Sequence, residues 1–156
     1  NLVQFLRKWK LSSLRINAGF LQANINFAEA DRKAAWDMYI ELLTRVSTQG
    51  LAPDHGDEKS ALTSIFSLFG LTRDIIRKHG PEAINFTKIA IVILNQVIRP
   101  FTAKWHKLSL AGAFEEEEKC LEFRAELADL QLILRQYTKA LADIAEVEDI
   151  SEMEAE

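Results

Sequence analysis

The sequence predicts a mainly α protein, a four-helix-type bundle closed by one long C-terminal helix. Three observations support this. Cys120, Phe123, Leu127, Leu130, Leu134, Tyr137, Leu141 and Ile144 recur at 3-4-3-4-3-4-3 spacing, the a and d positions of a heptad. Apolar residues also recur with helical period over 31–48 and over 57–79. Turn signals, Gly50, Pro53-Asp54 and Gly80-Pro81, punctuate these runs.

Residues 1–13 open the chain with Leu2, Phe5, Leu6 and Trp9 at i, i+3, i+4 and i+7 and with Arg7, Lys8 and Lys10 on other faces, a short basic amphipathic helix. Over 14–27 the period changes. Leu14 and Ile16, then Leu21, Ala23, Ile25 and Phe27, alternate with polar residues, which reads as a short β hairpin or extended arm, with helix as the alternative. Asp31 is the expected N-cap of a helix over 32–48 carrying Met38, Tyr39, Leu42 and Leu43. After a turn-rich loop, Asp57 caps a second helix that runs to Gly80-Pro81. The third, over 82–98, is apolar almost all round and is expected to be the central helix, with buried partners needed for Asn95 and Gln96. Pro100 is expected to break or kink it before a helical segment over 101–110 bearing Trp105. The seam helix follows over 115–146, its first turn acidic from Glu115 to Glu118, and packs along the third helix or along its own copy. An acidic, frayed tail occupies 147–156. No repeat or linker divides 14–146, so it reads as a single domain.

Composition narrows the function classes. A chain of 156 residues with 48% apolar and 27% charged residues is long enough to bury a full core, roughly 70% of its unfolded surface. The lone Cys120 has no partner for an internal bridge, which points to a reducing, cytoplasmic setting. Charge is unevenly spread. Residues 1–28 hold Arg7, Lys8, Lys10 and Arg15 and no acid, whereas 113–156 hold fourteen acids against four bases. The dominant block is negative, which disfavours nucleic acid as a partner. The longest unbroken apolar run is the six residues 89–94, far short of a membrane span.

Few constellations of side chains in the sequence carry chemistry. Nucleophile elbows, phosphate loops, dinucleotide glycine patterns and zinc-protease helices are absent from the sequence, so no catalytic residue and no cofactor is expected. Asp54, His55, Asp57 and Glu58 are ligand-type residues in one short stretch, but no second cluster completes a metal set, and a capped loop explains them. His79 suits a helix C-terminus, and the acidic run from Glu115 suits a helix start. The richest segment is 99–107. Arg99, Lys104, Trp105, His106 and Lys107 lie beside the Pro100 kink and together are a candidate site for an anionic, nucleotide-like ligand. The competing reading pairs Phe101 with Trp105 in the core and lets the bases reach outward.

The stretches 31–45, DRKAAWDMYIELLTR, and 98–106, IRPFTAKWH, resemble segments of a bacterial family of uncharacterised helical proteins. The resemblance implies a domain that follows a membrane anchor and attaches no chemistry to any residue. It agrees with a basic opening, since Lys and Arg gather on the cytoplasmic side of a span.

The function expected from these readings is non-enzymatic. It is that of an interaction or regulatory domain working by helix-mediated assembly, with itself or with a partner's helices, through Leu127, Leu130, Leu134, Tyr137 and Leu141. Residues 1–11 are a candidate contact with an anionic membrane surface. The alternatives are the ligand sensor at 99–107 and a hydrolase of unrecognised residues.

Overall fold

A computed structural model of the chain describes residues 27–45, 57–147 and Ile150. Every regular element among them is helical. They are α1 (Glu29–Leu43), α2 (Glu58–Phe66), α3 (Leu68–His79), a 3-10 turn (Pro81–Ala83), α4 (Ile84–Val92), a π-helical segment (Ile93–Ile98), α5 (Arg99–Leu110), a second 3-10 turn (Ala113–Glu115) and α6 (Glu117–Ala145). The mainly α bundle expected from periodicity forms. The basic helix over 1–13, all but Phe27 of the hairpin or arm over 14–27 and most of the acidic tail lie outside the described residues.

One apolar cluster joins all six helices. The expected seam of α6 faces it, and Leu127, Leu130, Leu134, Tyr137 and Leu141 are all buried. Their main neighbour is α1 of the same chain, not the helix over 84–98. Along α1, Ala34, Ala35, Met38, Tyr39 and Leu42 are all buried in the shared core, the two alanines adding little bulk to its first half. Because α1 also packs on α3 and α4, it is the central helix, a place the sequence assigned to the third. That third helix is not wrapped all round. Ile84 and Ile91 are exposed, and so are Asn95 and Gln96, whose amides therefore meet water and need no buried partner.

The start of α1 also differs from expectation. Its N-cap is Ala28, and Asp31 sits one turn inside the helix, fully buried. There one carboxylate oxygen accepts from the Ala28 N–H at 2.9 Å and the other from the Phe86 N–H at 2.9 Å. The residue before α4, Ala83, has no side-chain oxygen with which to cap it, so α1 lends a carboxylate across the interface to an orphan donor of α4's first turn.

The second predicted helix is divided at Ser67, whose hydroxyl donates to the Ser64 carbonyl at 2.6 Å while backbone bonds continue across it. Such back-bonding by serine bends a helix without ending it. At Pro100, where a break or kink was expected, the helix runs on. The Arg99 N–H bonds the Leu94 carbonyl five residues back, and the wider π turn makes room for a ring that would otherwise crowd the carbonyl four residues earlier. Gly112, in the left-handed region at φ 84°, then turns the chain into the 3-10 turn before α6. Glu117 and Glu118 occupy the first turn of α6, with Glu115 and Glu116 preceding it.

Candidate functional site

The five residues proposed for an anionic ligand all lie on α5, and they do not converge. Successive helical residues are rotated by about 100°, so 104, 105, 106 and 107 point around the axis. Arg99 donates from Nε and Nη2 to Asn95 Oδ1, both at 3.2 Å, and its guanidinium lies 4.8 Å from the centre of the Phe69 ring. Lys104 turns toward α6, with Nζ at 2.8 Å from Glu126 and 3.4 Å from Glu122; its hydrogen bond to Glu126 holds the ammonium above the usual lysine range. Trp105 is fully buried, stacked on Phe114 at 6.0 Å and edge-on to Phe123 at 5.2 Å. His106 and Lys107 are exposed. Phe101, Trp105, Phe114 and Phe123 form one aromatic knot, so the core-pair reading describes this face of α5.

Of the five, His106 lines a concave surface. With Lys59, Leu62, Thr63, Phe66 and Leu110 it walls a groove of about 380 Å³ between α2 and α5. Phe66 and Leu110, 61% and 78% exposed, stand at its rim. A second groove, of about 440 Å³, runs between α1 and α3 and is lined by Trp36, Asp37, Ile40, Leu71, Asp74 and Lys78. The first is mainly apolar, the shape that receives an apolar helix face or chain, whereas the second sets Trp36, Ile40 and Leu71 among Asp37, Glu41, Asp74 and Lys78.

Beside the second groove, Asp37 ties α1 to the last turn of α3. Burial works to raise its carboxyl, but His79 Nε2 at 2.6 Å and Lys78 Nζ at 3.2 Å outweigh that and hold it below the usual carboxylate range. His79 thus has a side-chain partner as well as the helix C-terminus that the sequence offered it.

The remaining candidates are accounted for locally. Asp57 caps α2 by accepting from the Lys59 N–H at 2.9 Å, and Glu58 pairs with Arg124 of α6 at 2.9 Å; Asp54 and His55 lie outside the described residues. Among the described residues no three His, Cys, Asp or Glu side chains gather as a metal set. Cys120, half-buried at the end of the seam, donates to the Phe114 carbonyl at 3.3 Å, and burial together with the Glu58 charge keeps its thiol protonated, above the ordinary range. Among the described residues, two buried side-chain polar atoms lack a hydrogen-bond partner, Trp105 Nε1 and Tyr137 Oη, and burial raises the Tyr137 phenol well above its ordinary value.

Sequence reasoning missed both grooves and the Asp37–His79 pair. Leu62, Phe66 and Leu110 were legible as apolar, yet nothing local shows that α2 and α5 meet along their sides and leave a trough. Asp37 and His79 are 42 positions apart, beyond any helical period. Comparison of the chain with family models, curated proteins and solved structures finds no match in any of the three.

Proposed function

We propose that this chain is a non-enzymatic interaction domain that works by offering helix faces to other helices, those of a second copy or of a partner protein. The observation that supports it is the arrangement of apolar side chains left outside a core that is already closed. Trp36 and Ile40 on α1, Phe66 and Leu110 across the α2–α5 groove, and Leu121 and Leu132 on α6 are large, exposed and placed at helical spacing or along grooves. Rows of this kind mark interaction surfaces more often than scattered single residues do. Because Leu127, Leu130, Leu134, Tyr137 and Leu141 are buried inside the fold, with α1 the main neighbour of α6, the seam expected to assemble is not available, and in this reading the assembly surface is an outer one. In this reading the domain works at the cytoplasmic face of a membrane, with residues 1–11 touching anionic headgroups.

The test is the absolute mass of the full chain by light scattering, from micromolar to millimolar concentration. A weight-average mass that climbs from 17.7 kDa with concentration is the expected result. A constant 17.7 kDa throughout would count against self-assembly as the mode of action.

A further inference from the structure

Besides its buried seam, α6 carries a second apolar stripe on its outer side. Leu121, Ala125, Ala128 and Leu132 follow one another at 4-3-4 spacing. At 100° per residue they fall within a sector of about 60°. All four are exposed, Leu121 at 63% and Leu132 at 55%. A solvated helix face has no need of leucines at matched positions.

The geometry points to this stripe as the seam of an antiparallel helix pair formed with a second copy of this chain. The inference rests on the assembly reading and gives it a place. Its warrant is the symmetry of the stripe: Leu-x3-Ala-x2-Ala-x3-Leu reads the same from either end. A two-fold axis midway along it therefore sets Leu121 against Leu132 of the second copy and Ala125 against Ala128 of the second copy. That is the self-complementarity a two-fold interface requires. The central alanines let the two backbones approach, and the leucines fill the space at each end.

Charge selects the direction. One turn outside the stripe lie Glu118 and Arg135, and the same axis brings each beside the other on the second copy. A parallel pair would instead oppose Glu118 to Glu118 and Arg135 to Arg135. The antiparallel pair does bring Glu122 near Asp129 of the second copy. That repulsion is damped because Glu122 is already held by Lys119 at 3.0 Å and Lys104 at 3.4 Å. The stripe is about 17 Å long, shorter than a standard interface, so the pair is expected to form in the upper part of the micromolar-to-millimolar range.

The experiment measures mass against concentration for the full chain and for Leu132→Glu and Leu121→Glu, each checked by its melting temperature at low concentration. Both positions are exposed, so melting is expected to stay unchanged while the concentration-dependent rise in mass disappears. For direction, Ala125→Cys and Ala128→Cys chains in a Cys120→Ser background are mixed and oxidised, and the cross-link between the two different variants is expected to dominate. A rise in mass that survives Leu132→Glu and Leu121→Glu overturns this seam and leaves assembly standing. A dominant cross-link of 125 to 125 overturns the antiparallel register. Constant monomer mass of the unmodified chain overturns the seam and the assembly reading together.

Discussion

Asp31 shows how one side chain joins two helices. A carboxylate without solvent persists only when its oxygens are occupied, and here both are, by the N–H groups of Ala28 and Phe86. Asp31→Ala leaves the buried Phe86 N–H without an acceptor, and a loss of about 2–4 kcal/mol is expected in urea denaturation. Asp31→Asn, which keeps one acceptor oxygen, is expected to lose less, and hydrogen exchange at the Phe86 amide is expected to quicken in both. From sequence, Asp31 was legible as a helix-start residue because capping chemistry is local. Its second bond was not, since Phe86 lies 55 positions away and nothing in either neighbourhood encodes the other. Trp105 and Lys104 carry the same lesson. Adjacent in sequence, they part on the helix, one into the core and the other to Glu126.

Among the elements, α3 carries two glycines with opposite roles. Gly80 ends it at φ 74° and ψ −171°, a conformation almost confined to glycine. Its replacement in Gly80→Ala is expected to lower stability by about 1–3 kcal/mol. The new Cβ would also lie 3.1 Å from the Glu82 carboxylate, a flexible side chain that can move aside, so backbone strain dominates. Gly70 lies inside the helix with nothing within 4 Å of a built Cβ. Gly70→Ala is therefore expected to raise stability by about 0.5–1 kcal/mol, by restricting the unfolded chain and favouring helix. Thermal melts of the two variants in opposite directions check both. The end of α3 was legible because Gly80-Pro81 is a backbone signal. Whether Pro100 breaks its helix was not legible, because the fate of an internal proline depends on packing: Ile98, Phe101 and Trp105 are all buried, and the helix continues across a π turn.

At the scale of the whole molecule, charge divides the chain into a basic opening and an acidic end. If residues 1–11 meet a membrane, the full chain is expected to float with vesicles of anionic lipid at low salt and to be released at high salt. Reversing Arg7, Lys8 and Lys10 to Glu is expected to abolish flotation. Equal flotation of the two chains would remove the membrane contact from the proposal. Among the described residues no helix is long and apolar enough to cross a membrane.

The helical class, the long C-terminal helix and the apolar seam along it were determined by the sequence alone, because periodicity is written in neighbouring residues and survives any choice of partner. The tertiary structure decided what covers that seam, where the grooves run and which polar residues meet. Those outcomes depend on how faces far apart in the chain fit together, which no run of neighbouring residues encodes, and it is α1 rather than the more apolar third helix that lies along α6.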